Sequence, residues 1–106
     1  MNTVIGSPKQ ETKIAEMGDV AHRLFPHIEA IAFKGAFRFA IREALRQRGG
    51  TDWGTVVTMP ASARRAFFEL ILKEATPHLK SMGLDPASIK KLQAKLRSQN
   101  EKYLIS

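Results

Sequence analysis

Apolar residues recur three and four positions apart through most of this 106-residue chain, and that spacing predicts helices. Ser7-Pro8-Lys9-Gln10 carries a helix start: Ser as N-cap, Pro at the first helical position and Gln three residues on to complete a capping box. Residues 1–6 before it read as a flexible lead. Ile14, Met17, Ala21, Leu24 and Phe25 then follow at helical spacing. Gly18-Asp19 is a candidate interruption, and Pro26 closes the helix because the residue before a proline is pushed out of the helical region. A second helix is predicted from Pro26 to Arg48, more than about 30 Å long at about 1.5 Å per residue. Phe33, Phe37, Ala40, Ile41 and Ala44 form its main apolar arc. Ala32, Ala36, Ala40 and Ala44 form a row where another backbone could come close. Gly49-Gly50 ends the helix as a left-handed cap.

Thr51–Met59 is β-branched at Thr55-Val56-Val57-Thr58 but has no partner strand, so an extended loop is expected. Pro60 suits the start of a third helix carrying Phe67, Phe68, Leu70, Ile71 and Leu72, apolar on most sides and therefore central. Thr76-Pro77 is expected to end it, with a short fourth helix from His78 to Met82 stopped by Gly83. A fifth opens at Leu84-Asp85-Pro86: Asp85 as N-cap, Pro86 first in the helix, Leu84 stapled onto Ile89. Ile89, Leu92, Leu96, Gln99 and Tyr103 follow at 3-4-3-4 spacing. That stripe suits the chain's own core or the seam of a homodimer equally well. The expectation is an all-α fold: one domain over residues 7–106, with four to five helices and short connections.

Charge changes the picture more than composition does. The net charge is +7 with a pI near 10.2, on 43% hydrophobic residues. Residues 1–29 carry three basic and four acidic side chains, and residues 30–106 carry 14 and 6, so the basic character belongs to the later part. A basic surface of this kind suits a polyanionic partner. The chain has no cysteine, which removes disulfides and thiolate metal sites. No apolar run reaches about 18 residues and no basic-then-apolar leader is present, so a cytoplasmic protein with no membrane partner is expected.

Lys34, Arg38, Arg42 and Arg46 fall four apart along the second helix. Solvated helix faces usually mix signs, because like charges at this spacing cost about 0.2–0.5 kcal/mol per pair. A row of four cations with no acid in it therefore points to nucleic acid, against the plainer reading of a solvated face. Gly35 lies in the same arc, where close approach of a phosphate or another helix would compensate it. Phe39 sits at the edge and is expected in the core. The segment His78–Arg97 has the layout of a helix-turn-helix, with Gly83 at the turn and Lys90, Lys91, Ala94 and Lys95 placed to meet a groove or its phosphates. Leu79 departs from that motif, which keeps a small residue there. Arg64-Arg65 oppose the dipole at the start of the third helix and add a third basic group.

His22, His27 and His78 lack metal-ligand spacing, Gly49-Gly50 lacks the Lys-Ser/Thr of a phosphate loop, and no hydroxyl has an evident base. No enzyme, metal or cofactor is expected. The reading is a small basic helical protein that binds nucleic acid, duplex DNA before RNA because exposed stacking aromatics are scarce. Its role would be regulatory or accessory, in transcription, replication or DNA transfer. The alternative is an adaptor or inhibitor, such as a phage anti-defence protein, whose basic face docks on an acidic surface of a nucleic-acid enzyme.

Overall fold

A computed structural model describes residues 8–49 and 53–99. The described residues are all-helical: α1 (Pro8–Leu24), α2 (Ala30–Gln47), the single-turn α3 (Trp53–Val57), α4 (Ala61–Ser81) and α5 (Pro86–Arg97). The expectations that fall on Ser7, Gly50, Thr51, Asp52 and Tyr103 lie outside them.

α1 runs through Gly18-Asp19 without interruption and stops before Pro26. Gly18 is where α2 crosses: a Cβ there would stand 2.5 Å from Lys34 Cγ and 3.3 Å from the Lys34 backbone nitrogen. The close approach expected along the second helix's alanine row is thus provided by a glycine on the first. Ala36, Ala40 and Ala44 are buried on that row, whereas Ala32 is exposed. α2 begins at Ala30 rather than Pro26. The Ile28 amide bonds back to the Phe25 carbonyl (3.1 Å), and His22 Nδ1 donates to the Ile28 carbonyl (2.7 Å). Those bonds hold the chain in a turn until Glu29, which is extended at the N-cap position.

The expected extended loop is a helical turn. Trp53 and Val56 are both buried, and Trp53 meets the Phe67 ring edge-on with centroids 6.4 Å apart. Residues three apart share a face of a helix but lie on opposite faces of a strand, so only a helical turn buries both. Burial overrides the local β preference.

α4 begins at Ala61, with Pro60 at the N-cap position, and continues straight through Pro77, so the separate fourth helix does not form. Pro77 removes the amide that would bond the Lys73 carbonyl, and the hydroxyl bonds from Thr76 to the Leu72 carbonyl (2.9 Å) and from Ser81 to the Pro77 carbonyl (3.0 Å) flank that gap without filling it. Leu79 beyond it is buried and draws the last turn onto the core. The helix ends in a Schellman motif, with Gly83 at φ +99°, Gly83 N–H bonded to the Lys80 carbonyl and Leu84 N–H to the Leu79 carbonyl. Asp85 Oδ1 then caps α5 by accepting from the Ser88 amide at 2.7 Å, as expected.

Cross-helix bonds fix the layout. Arg38 with Glu11 and Lys34 with Asp19 make α1–α2 an antiparallel hairpin, and Arg97 with Glu69 and Gln93 with Thr76 do the same for α4–α5. α2 joins them, with α1 and α4 as its main partners, and the helix expected to be central, α4, packs on α2, α3 and α5 with Phe67, Phe68, Ile71 and Leu72 in the core. Buried side chains form one cluster, from Ile14 and Met17 through Phe33, Phe37 and Ile41 to Phe67, Ile71 and Leu96. Ile89, Leu92 and Leu96 are spent in this core, so the heptad-like stripe is not a free dimer seam.

Candidate nucleic-acid interface

The row Lys34, Arg38, Arg42 and Arg46 follows one side of α2 as its spacing predicts, but it is not a free cationic ridge. Lys34 Nζ lies 3.7 Å from Asp19 Oδ1, Arg38 Nη2 2.7 Å from Glu11 Oε1, and Arg46 Nη2 2.6 Å from Glu43 Oε1. Hydrogen bonds donated to the Glu11 and Glu43 carboxylates raise the Arg38 and Arg46 guanidinium pKa values above their ordinary value. Only Arg42 of the four has no acidic partner among the described residues. The row expected to be unneutralised is paired: Glu11 and Asp19 of α1 and Glu43 of α2 itself supply the carboxylates. A Cβ at Gly35 would meet nothing within 4 Å among the described residues, so none of them compensates a glycine that costs about 1 kcal/mol relative to alanine. Phe39, expected in the core, is half-exposed at the edge of α2 with its ring centroid 4.3 Å from that of His78.

The α4–α5 hairpin is different. Across the described residues 61–99 stand eight basic and three acidic side chains, and one ion pair joins them, Arg97 Nε to Glu69 Oε2 at 2.8 Å. That hydrogen bond raises the Arg97 pKa and lowers that of Glu69. Of the other two acids, Glu74 accepts from Gln47 Nε2 (3.0 Å) and Asp85 is committed to the helix cap. Lys90, Lys91 and Lys95 are exposed and without acidic partners among the described residues.

The register of the hairpin adds residues that sequence reasoning missed. Glu69 and Thr76 face α5, and Lys73 and Lys80 share their 4-3-4 stripe on α4. Lys90 shares the facing α5 stripe with Gln93 and Arg97. Lys73, Lys80 and Lys90 therefore line the solvent side of the seam between the helices, and Lys91 and Lys95 form a second row outside it. The signal for Lys73 and Lys80 was present in their spacing. Splitting the helix at Pro77 concealed it.

No protein-family model, curated protein or solved structure matches this chain. The site therefore stands on its geometry. At the start of α4, Arg65 is exposed and has no ion pair among the described residues. Arg64 is partly buried with its Nε lacking an acceptor, so it is less available to a surface ligand. Among the described residues no group of three or more His, Asp or Glu side chains could hold a metal ion, and no helix is long and apolar enough to cross a membrane.

Proposed function

We propose that this chain binds the phosphate backbone of nucleic acid, duplex DNA first, through the α4–α5 surface. The observation that carries the reading is the group of five exposed cations, Lys73, Lys80, Lys90, Lys91 and Lys95, none of which pairs with a carboxylate among the described residues. Exposed ammonium groups on two adjacent helices suit a run of phosphates, and release of condensed counterions drives such binding without base contacts. The α2 row, balanced by the protein's own acids, contributes through Arg42 alone. Within this reading α5 lies beside α4 along the phosphates, its antiparallel pairing with α4 differing from the near-perpendicular helices of a helix-turn-helix, with Gly83 at the turn and the Asp85 cap fixing where α5 begins. A role in the control or handling of DNA follows from such a surface.

Fluorescence anisotropy with a random-sequence labelled duplex tests this. Five phosphate contacts predict that log affinity falls against log salt with a slope of about −4 to −5. No binding at about 50 mM salt would sink the reading and favour an acidic protein surface as the partner.

A further inference from the structure

The start of α4 is crowded with hydrogen-bond donors that no described residue answers. Pro60 at the N-cap position has no side-chain oxygen, no capping hydrogen bond is made, and the first turn holds no acid. The first helical bond there runs from the Arg64 amide to the Pro60 carbonyl (3.0 Å), which leaves the Ala61, Ser62 and Ala63 amides open at the positive end of the helix dipole. Arg64 and Arg65 follow, where that dipole opposes a cation, and neither has an ion pair among the described residues. Two further donors lie inside. Arg64 Nε is buried with no acceptor, and so is Nε1 of Trp53, a residue only 1% exposed. Both flank one ring. Trp53 stands edge-on to Phe67, and Arg64, three residues before Phe67, shares its side of α4 and leans towards the helix start. Buried donors are nearly always paired, because an unpaired one loses its water and gains nothing in return. Every unpaired group in this neighbourhood is a donor, so an acceptor from outside the described residues is what would complete it.

We propose that the junction of α3 and α4 binds one small phosphate group. The Trp53 indole N–H forms the inner end of the site, the Arg64 guanidinium its wall, and the Ala61–Ala63 amides with Arg65 its mouth. Arg64 and Arg65 supply two positive charges for a dianion. Its tetrahedral oxygens accept from amide, guanidinium and indole donors at once, which the two oxygens of a carboxylate cannot. Ala61, Ser62 and Arg65 are exposed and Arg64 is only partly buried, so the mouth opens to solvent. The recess that withdraws Arg64 from a duplex surface suits a phosphate carried on one bond or none. That chemistry is shared by inorganic phosphate and by the terminal phosphate of a strand or nucleotide. A phosphodiester, singly charged and held on both sides, fits it poorly. The site uses none of the lysines on α4 and α5, so it does not rest on the duplex reading.

Trp53 is the chain's one tryptophan, so its fluorescence reports on the site directly. Titrating the full chain with sodium phosphate at constant ionic strength should change that fluorescence saturably, with a dissociation constant of about 0.1–1 mM, while sodium chloride does not. Arg64→Lys, which keeps the charge and loses Nε, should weaken phosphate about tenfold, and Arg65→Gln should weaken it a few-fold. Phosphate should also raise the melting temperature of Trp53→Phe less than that of the parent, a second readout if Arg64→Lys does not fold. Replacing Lys90, Lys91 and Lys95 by Gln should leave the titration unchanged, which separates this result from the outcome of duplex binding. A thymidine oligonucleotide with a terminal phosphate that binds more tightly than inorganic phosphate, its hydroxyl-ended twin being inert, supports the site and assigns its source to a strand end. Equal binding supports it with free phosphate as the source. No saturable change, or a change that Arg64→Lys leaves untouched, overturns the site. A response seen only in Asp52→Asn also overturns it, because the acceptor is then a carboxylate of this chain.

Discussion

The two basic surfaces of this protein differ in how far their cations are balanced by carboxylates. On α2, four cations in one row meet Asp19, Glu11 and Glu43, and only Arg42 remains unpartnered. On α4–α5, one pair, Arg97 with Glu69, leaves Lys73, Lys80, Lys90, Lys91 and Lys95 facing solvent. The difference lies in which helix packs beside each row. α1 brings Glu11 and Asp19 to α2, which adds its own Glu43, whereas α4 and α5 bring mostly lysines to one another. Counting charges along one helix therefore says little about the field that helix presents. What matters is the neighbouring helix's contribution at the same height.

The comparison breaks or sharpens through four changes, the first being the largest. Replacing Lys90, Lys91 and Lys95 together by Glu should lower duplex affinity at low salt by about a hundredfold or more, with the circular-dichroism melt unchanged. Unaltered binding would transfer the activity elsewhere. Gly18→Leu should destabilise the fold by about 1–3 kcal/mol in urea unfolding, because the side chain must displace Lys34 at the α1–α2 crossing. A neutral result would mean that the crossing tolerates separation and that the α1 acids are not held in place. Glu11→Gln with Asp19→Asn should release Arg38 and Lys34. This variant should bind duplex a few-fold more tightly, with a salt slope steeper by up to about 1.8, and lose no more than about 1–2 kcal/mol of stability. An unchanged slope would show that the carboxylates are not what silences the row.

The smallest effect is in pH. Hydrogen bonds from the Ser88 backbone and from Arg97 hold Asp85 and Glu69 below their ordinary values of 3.8 and 4.5. The unfolded chain then binds protons first as pH falls. Their stabilisation is fully present above those values and is lost as pH drops through and below them. Thermal melts should be flat for this contribution between about pH 7 and 6 and fall by a few degrees towards about pH 3. Glu69→Gln should flatten part of that decline, and an identical decline in the variant would remove Glu69 from the account.

What was legible in the sequence was local. The Asp85-Pro86 start, the Gly83 stop and the Pro26 stop each depend on a few adjacent residues, and each stands where expected. Local signals failed where burial opposed them. Pro77 reads as a breaker, yet Thr76 and Ser81 supply side-chain bonds around it and buried Leu79 carries the helix onward. Thr55-Val56-Val57 reads as extended, yet Trp53 and Val56 need one face. The cation row was placed correctly along its helix and misjudged in its surroundings. The Glu43–Arg46 pair at three-residue spacing could have been read directly. Glu11 and Asp19 could not, because their reach to α2 depends on the hairpin that Gly18 permits.

The central claim is that the open cations on the C-terminal hairpin, and not the paired ones on α2, hold the polyanion. The most direct measurement compares salt slopes of duplex binding for two triple variants. One carries Lys90, Lys91 and Lys95 changed to Gln, and the other Lys34, Arg38 and Arg46 changed to Gln. The account predicts that the first loses about 2 to 3 from the slope and the second almost nothing. The reverse order, or equal losses from both, would contradict it.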